Sequence, residues 1–311
     1  MRKRCLDMVY NLAQKNDKVV FIGSDIGANT LNNFKREFPD RFIMEGISEQ
    51  HTIGMAAGLA LNGKIVYINT IASFLTRRCF EQNVLNLGLY NANVRLLGSG
   101  GGLVYAPLGP THLAPDDIAI MRTIPNMTIL VPTDADEMER AMIASETHQG
   151  PIYIRMAKGF GDPIISKDEH GFKIGKAIVH MEPKDVLLIS CGIMTHRSLS
   201  VAESLNKQGI KTGVINVHTL KPFDDKTVLE NICKSRFVFT VEEHYINGGL
   251  GSIVSEIIAE NASNTNVIFK RFALPDSFTD KYGSQESLIK RYSLETDDIE
   301  KRIKECLTNH L

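Results

Sequence analysis

The sequence predicts an α/β protein made of two doubly wound domains, each with a mostly parallel sheet covered by helices on both faces. Short apolar runs alternate with segments of helical period, which is the rhythm of βαβ units. The strand-like runs are apolar throughout, as is typical of strands buried on both faces. The rhythm weakens after about residue 160 and restarts near residue 184, and a length of 311 residues suits two domains better than one.

The first domain is predicted to span residues 1–160 and to begin with a helix over MRKRCLDMVYNLAQKND. Its predicted strands are KVVFIGSD, RFIMEGISEQ, KIVYINTI, NVRLLGSGGG, TILVP and PIYIRMAKG. Helices are predicted over SEQHTIGMAAGLALNG, over ASFLTRRCFEQNVLNLGLYN and just after Asp134. Thr133 or Asp134 is expected to cap this last helix, with Glu137 reaching back to its start.

Residues 161–183 are charged and rich in turn formers, so we predict a linker that contains a short hairpin. The second domain is predicted over residues 184–311. Its predicted strands are DVLLISCG, KTGVINVHTLKPFD, RFVFTVEEHY and NVIFKRFAL. Its predicted helices are HRSLSVAESLNKQG, KTVLENICKS and GGLGSIVSEIIAENA.

Composition excludes several classes of function. Lys plus Arg number 35 against 36 for Asp plus Glu, which argues against a nucleic acid or a membrane surface as a partner attracted by bulk charge. No apolar run reaches the roughly 18 residues of a membrane span. The five cysteines are widely spaced and form no C-x-x-C motif, which favours buried thiols in a cytoplasmic protein over a disulfide frame or a zinc site.

Candidate functional side chains follow the predicted strands of the first domain. Glu49 comes after RFIME and opens a helix of small residues, and Phe74 comes after the next strand. Ligands of open α/β sheets bind at such carboxyl ends of strands. A carboxylate favoured by the helix dipole is the alternative interpretation of Glu49, and a core position is the alternative for Phe74.

A long loop, GSGGGLVYAPLGPTHLAPDD, follows the strand that contains Leu96 and Leu97. Long ordered loops at this edge are usually functional, and His112 in the loop is expected to contact a substrate rather than to lie in the core. The backbone N–H groups of the glycine run could bind phosphate, although the run does not match a Walker A loop.

Four segments in order resemble the pyrimidine-binding domain of transketolases: EGISEQHTIGMAAGLAL, TIASFLTRRCFEQ, GPTHLAPDDIAIMRTIPNMTILVPTDADE and GPIYIRMAKG. A fifth, TVEEHYINGGLGSIVSEI, resembles the transketolase C-terminal domain. The resemblance covers nearly the whole chain. It implies a thiamine diphosphate pyrimidine-binding domain with a parallel sheet, followed by a smaller α/β domain like the transketolase C-terminal domain.

The resemblance implies a catalytic role for Glu49. In that family the glutamate of this motif hydrogen-bonds a ring nitrogen of the aminopyrimidine of thiamine diphosphate and shares a proton with it. Phe74 matches the aromatic residue that stacks on the same ring. Ile71 stands where many transketolases have a second aromatic residue, so aliphatic packing is expected there.

Four further residues match family positions. Asp25 matches an aspartate on the thiazolium side of the cofactor, although it could equally cap a turn. His112 matches a catalytic residue that faces the substrate hydroxyls. Arg155 and Arg2 fall where family arginines bind a sugar phosphate, which suits the forked guanidinium, but a solvated surface position is preferred for Arg2. A family histidine before the loop is missing and GSGGG replaces it, which leaves the donor specificity open.

The stretch containing Glu242, Glu243 and His244 is a conceivable metal site. Adjacent acids on a strand face opposite sides, however, so we expect this stretch to serve packing between domains or subunits, and we expect no metal site in this chain.

The sequence contains no G-D-G motif, which in transketolases belongs to the site that holds the diphosphate and its cation. The resemblance therefore implies that Mg²⁺ (or Ca²⁺) and the diphosphate are held mainly by a separate N-terminal subunit, in an α₂β₂ assembly. Because the resemblance begins almost at Met1, a naturally split subunit is expected. It would transfer a two-carbon ketol unit between sugar phosphates or modified sugars, and only together with its partner.

Three alternatives stay open. The β-subunit of a 2-oxoacid dehydrogenase shares the same two domains and cofactor but acts on a different substrate. A non-catalytic subunit could retain the fold, although it would have no need for Glu49. A flavodoxin-like module would bind a nucleotide without any partner chain. The sequence contains no dinucleotide-binding fingerprint.

Overall fold

Two β-sheets organise the chain, of which the computed structural model describes residues 1–24, 31–157, 163–165 and 171–310. In these residues the strands are β1 (Val19–Gly23), β2 (Phe42–Met44), β3 (Ile65–Ile71), β4 (Val94–Ser99), β5 (Thr128–Leu130), β6 (Ile152–Met156), β7 (Ile178–Met181), β8 (Val186–Ser190), β9 (Thr212–Asn216), β10 (Thr219–Lys221), β11 (Phe237–Tyr245) and β12 (Ile268–Leu274).

The α-helices of the same residues are α1 (Arg2–Lys15), α2 (Asn32–Glu37), α3 (Glu49–Leu61), α4 (Phe80–Gln82), α5 (Asp117–Arg122), α6 (Ala135–Thr147), α7 (Met194–Lys207), α8 (Asp225–Ile232), α9 (Leu250–Glu260), α10 (Gln285–Arg291) and α11 (Thr296–Thr308). Short α4 lies between two π-helical segments, Phe74–Arg78 and Asn83–Gly88. Within the described ranges, no helix has the length and apolar character needed to cross a membrane.

Both sheets are mostly parallel, as predicted. Across the described residues the first sheet has the order β10-β5-β6-β4-β3-β1-β2, in which only β10 runs antiparallel to its neighbour. The second has the order β12-β11-β8-β9-β7, in which only β7 is antiparallel. Fully buried strands with helices on both faces explain the continuous apolar runs of the sequence.

The segment predicted as one strand, KTGVINVHTLKPFD, forms two strands in different sheets. Strand β9 lies in the second sheet, whereas β10 extends the first sheet, with Thr219 opposite Leu130 and Lys221 opposite Ile129. The single-strand prediction is therefore wrong, because an apolar run does not show which sheet its residues join. In the described part of the linker, β7 pairs with β9 and no hairpin is formed.

The start of α6 follows the predicted capping pattern. Asp134 is the N-cap residue, and one of its carboxylate oxygens accepts the backbone N–H groups of Asp136 and Glu137, both at 2.9 Å. The Glu137 carboxylate in turn accepts the N–H of Thr133 at 2.6 Å. Of the two predicted caps, Asp134 is confirmed.

The topology brings the candidate residues to one edge of the first sheet. Strands β2, β1, β3 and β4 are consecutive parallel neighbours, so their carboxyl ends share that edge. Glu49 follows β2, Phe74 follows β3, and the loop with His112 follows β4. The buried core beneath them continues into the second half of the chain, since Ile68 and Leu96 belong to the same apolar cluster as Val217 and Ile253.

Candidate active site

Glu49 is a buried carboxylate in the first turn of α3. Its side chain is only 3% exposed, and Oε2 accepts a hydrogen bond from Nη1 of Arg78 at 2.6 Å. Small residues of the helix (Ala56, Ala57 and Ala60) are buried in the core and let α3 lie close to β3. A carboxylate this buried needs a cation or hydrogen-bond donors beside it, because burying it alone would be costly.

Phe74 and His112 come together although they are 38 positions apart in the sequence. Their rings lie 5.2 Å apart, edge to face. The hydroxyl of Ser73 donates to the carbonyl of His112 at 3.4 Å, and Nδ1 of His112 lies 2.8 Å from the Thr111 hydroxyl. Ile71 ends β3 and is buried. The predicted aromatic and histidine therefore occupy one side of the same edge.

Arg78 joins this group, although no motif in the sequence indicated it as a site residue. Its guanidinium carbon lies 4.0 Å from the centroid of the Phe74 ring while Nη1 bonds Glu49. The side chain of Gln50 donates to the backbone carbonyl of Arg78 at 3.0 Å. The spacing of four residues from Phe74, directly after a strand, was the signal that could have indicated a shared face.

The arrangement can hold a flat, positively charged or protonatable group. Glu49 offers a buried acceptor, and Phe74 offers an aromatic face to which cations are attracted. The guanidinium of Arg78 is such a group, and it contacts both residues at once. A carboxylate in this position can also hold a proton at a ligand atom placed against it.

The structure gives little information on two other predicted site residues, Asp25 and Arg2. Asp25 lies outside the described residues. Arg2 begins α1 and is half-buried, next to a buried Met1. Contacts of Asp25 with a cofactor and of Arg2 with a phosphate both stay predictions.

Arg155 lies in the interior between the two halves of the chain, only 6% exposed. Its Nε donates to Oδ2 of Asp117 at 2.9 Å, and Nη2 donates to the carbonyl of Glu243 at 2.8 Å. Tyr153 donates to the same Asp117 oxygen at 2.6 Å, and burial, together with the Asp117 charge, raises the pKa of its phenol well above the ordinary value. The phosphate contact of Arg155 therefore stays a prediction, and the guanidinium already donates hydrogen bonds to Asp117 and Glu243. The sequence shows the charge of an arginine but not its burial.

The glycine run does not form a phosphate cradle. The N–H groups of Gly100 and Gly101 both donate to the carbonyl of Met156, at 2.9 and 3.1 Å. The N–H of Gly102 donates to Ala114 at 3.0 Å. Because these donors are used within the protein, the expectation of phosphate binding by the run is wrong for these three residues.

The same glycines make room for the junction between the two halves. A Cβ atom on Gly101 would lie 2.3 Å from Cγ of Arg155, and one on Gly102 would lie 2.5 Å from Cδ of Glu243. Real Cβ atoms do not approach other atoms so closely, so larger residues would displace both buried side chains. Packing therefore accounts for Gly101 and Gly102 in the GSGGG sequence that stands where the family histidine was expected.

The stretch Glu242 to His244 serves packing, as expected. Glu242 accepts the N–H groups of the first two residues of α9, and burial raises its pKa to about 7. Glu243 accepts the N–H of Leu103 at 2.8 Å, and Nε2 of His244 accepts that of Ala119 at 3.3 Å. In the described part of the chain, no group of three or more His, Cys, Asp or Glu side chains could hold a metal ion.

Comparison with known proteins gives a consistent assignment. Residues 1–161 match the family model of the transketolase pyrimidine-binding domain, and residues 175–299 match that of the transketolase C-terminal domain. The chain is 35% identical to a 6-deoxy-6-sulfo-D-fructose transketolase subunit from Clostridium sp. (strain MSTE9), over 96% of this chain and 92% of the relative. It is 34% identical to an apulose-4-phosphate transketolase subunit from Actinobacillus succinogenes, over 91% of this chain and 90% of the relative.

A solved structure extends the comparison to three dimensions. The chain superposes with a TM-score of 0.89 on a split-gene transketolase described as an inactive β4 tetramer, at 32% identity over 99% of this chain and 98% of that one. Both halves of the sequence match transketolase domains, and the fold matches a solved transketolase structure. The chain therefore belongs to the transketolase family.

Proposed function

We propose that this chain is the pyrimidine-binding subunit of a two-subunit, thiamine diphosphate-dependent transketolase that transfers a two-carbon ketol unit between sugars. One observation carries the proposal. Glu49, buried at the start of α3, and Phe74 together hold a planar cation at the carboxyl edge of the first sheet. A buried acceptor beside an aromatic face is the acceptor and stacking set that an aminopyrimidine ring requires.

Each residue has a definite task in this proposal. Thiamine diphosphate, when bound, supplies the carbanion chemistry that breaks and forms the carbon–carbon bond. Glu49 holds the proton shared with the ring nitrogen, and burial keeps water away from that proton. Phe74 stacks on the ring, and Ile71 packs beside it as the aliphatic substitute for a second aromatic residue. His112, edge to face with Phe74, faces the substrate.

A partner subunit is part of the proposal. Because the sequence has no G-D-G motif, the diphosphate and its Mg²⁺ or Ca²⁺ are assigned to an N-terminal transketolase subunit in an α₂β₂ assembly. The similar split-gene transketolase is described as inactive in its β4 form, which is consistent with a requirement for both subunits.

The substrates proposed are phosphorylated or modified ketoses. The two similar subunits are named for 6-deoxy-6-sulfo-D-fructose and for apulose 4-phosphate, both of which are sugars with an acidic substituent. The side chains that bind this substituent stay open, because Arg155 is committed to the junction between the two halves.

The decisive experiment uses this chain co-purified with its diphosphate-binding subunit. Turnover is measured with xylulose 5-phosphate, 6-deoxy-6-sulfo-D-fructose or apulose 4-phosphate as donor and ribose 5-phosphate or glyceraldehyde 3-phosphate as acceptor. We expect ketol transfer with at least one donor, and only in the presence of thiamine diphosphate, Mg²⁺ and both subunits. Turnover of pyruvate with an artificial electron acceptor, without any ketol transfer, would instead identify a 2-oxoacid dehydrogenase subunit.

A further inference from the structure

Arg78 makes the same two contacts that the proposed function gives to the aminopyrimidine ring. Its Nη1 bonds Oε2 of Glu49 at 2.6 Å, and its guanidinium lies over the Phe74 ring with Cζ 4.0 Å from the centroid. Glu49 and Phe74 are the residues proposed to bind the ring nitrogen and to stack on the ring. The guanidinium and the ring therefore compete for one place.

The two groups are chemically alike where they meet this site. A guanidinium is planar, carries positive charge and presents N–H donors in its plane. An aminopyrimidine that shares a proton with a carboxylate is also planar and also presents N–H toward the carboxylate. A buried carboxylate and an aromatic face thus attract either group by the same interactions.

The arginine side chain can leave while its backbone stays in place. Its side chain is 40% exposed, in contrast to the 3% exposure of Glu49, so water reaches the guanidinium but scarcely the carboxylate. The bond from Gln50 to the Arg78 carbonyl holds the backbone. The neighbouring Arg77 differs, because it donates to the carbonyl of Leu113 at 2.9 Å and pairs with Asp116 at 3.5 Å.

We propose that Arg78 is a placeholder for the pyrimidine ring, which neutralises Glu49 and covers Phe74 until the ring displaces its guanidinium. This inference rests on the proposed function and adds a residue that lowers the affinity of the site for the cofactor. A site that is open in only about a tenth of the molecules shows an apparent affinity reduced about tenfold. Arg78 therefore prevents the buried carboxylate from being left unpaired, while it weakens cofactor binding.

The test compares cofactor binding by four forms of the two-subunit complex: wild type, R78A, R78Q and the control R36A. Arg36 is an exposed arginine whose side chain contacts its helix neighbours Asn33 and Glu37, so R36A removes the same charge without touching the site. Calorimetric titration with thiamine diphosphate and Mg²⁺ is expected to show a Kd about tenfold lower for R78A. R36A should bind as wild type does, and R78Q should change in the same direction as R78A.

A double variant identifies the contact responsible. In an E49Q background the neutral amide attracts the guanidinium less, so adding R78A should change the Kd by less than about twofold. Unchanged or weaker binding by both R78A and R78Q would overturn the placeholder role and make Arg78 either neutral or a contact of the bound cofactor. Failure of the wild-type complex to bind thiamine diphosphate would instead refute the proposed function, so the two failures are distinguishable.

Discussion

Two carboxylate–arginine pairs among the described residues have similar lengths but opposite settings. Glu49 and Arg78 meet at 2.6 Å at the edge of the first sheet, and Asp117 and Arg155 meet at 2.9 Å between the two halves of the chain. In the first pair the arginine is 40% exposed, whereas in the second neither side chain exceeds 6%. The same type of ion pair is thus accessible to solvent at the sheet edge and enclosed between the two halves of the chain.

The difference shows how a charged side chain that can bind a ligand is distinguished from one that stabilises the fold. Around Asp117 and Arg155, other groups complete the hydrogen bonding, since Tyr153 donates to the carboxylate and the carbonyl of Glu243 accepts from the guanidinium. This enclosed pair is committed to contacts within the protein. At Glu49, the paired cation is reachable by water and can be exchanged for another donor.

The largest expected effect on stability comes from breaking the enclosed pair. R155M leaves Asp117 buried without its cation, and we expect a loss of about 3–5 kcal/mol in the free energy of unfolding. R78A should cost less, roughly 1–2 kcal/mol, because water can approach from the arginine side. Urea unfolding of the purified chain measures both. An R155M variant as stable as R78A would contradict the contrast between the two pairs.

The next largest effect is a loss of catalytic rate when the carboxylate of the accessible pair is replaced. E49Q keeps the size of the side chain but removes the proton relay, so kcat of the two-subunit complex should fall about 100-fold or more. The ketol-transfer assay measures this loss, and circular dichroism of the variant provides the control for folding. Wild-type turnover by E49Q would show that Glu49 has no role in proton transfer.

A smaller effect tests the space beside Arg155. G101A places a Cβ atom 2.3 Å from Cγ of Arg155, and we expect it to cost about 1–3 kcal/mol. G58A is the matched control, since a Cβ atom on Gly58 in helix α3 would meet nothing within 4 Å. That substitution should stabilise the chain by about 0.5–1 kcal/mol. Thermal unfolding of the two variants should therefore shift in opposite directions.

A final effect is a pH dependence of stability from a buried carboxyl group in the first turn of α6. Burial raises the pKa of Glu137 from 4.5 to about 7, and its carboxylate links the N–H of Thr133 to the side chain of Asn216. The folded protein then binds a proton that the unfolded chain has lost, so this group's contribution to stability is greatest below about pH 4.5 and falls as the pH rises toward 7. Each such group contributes a slope of up to about 1.4 kcal/mol per pH unit.

Glu242 has the same raised pKa, and burial also raises the pKa values of Glu243 and Asp116, so Glu137 is one of several groups that contribute to this slope. E137Q removes one of them, and urea unfolding at pH 5, 6, 7 and 8 should give a shallower decline for the variant than for wild type. Parallel curves for the two proteins would show that Glu137 is ionised in the folded state throughout this range.

Much of the architecture could be predicted from the sequence, because buried parallel strands and capped helices leave local patterns. The apolar run KIVYINTI became β3, and the cap at Asp134 was one of two predicted choices. Strand β10 could not be predicted, since its three residues carry no period and its partner β5 lies about 90 positions earlier. Local patterns do not encode such distant pairing.

The candidate site was predictable in part. Glu49, Phe74 and His112 follow strands whose carboxyl ends meet, so both motif and topology pointed to them. Arg155 was selected because it matches a family position, whereas nothing in the sequence pointed to Arg78. Only the fold shows that Arg155 is enclosed and that Arg78 is exposed. Charge is written in the sequence, but solvent exposure depends on residues from distant segments.

Strand β10 has a practical consequence for dividing the protein. A fragment ending at residue 183 would lack β10 and would leave the outer side of β5 with unpaired peptide groups. It would also lack Lys221, whose Nζ donates to the carbonyls of Arg122 and Ile124 at 2.8 and 2.6 Å. An open sheet edge recruits strands from other molecules, so such a fragment should aggregate, and chimaeras with related chains must carry residues 219–221 along with the N-terminal part.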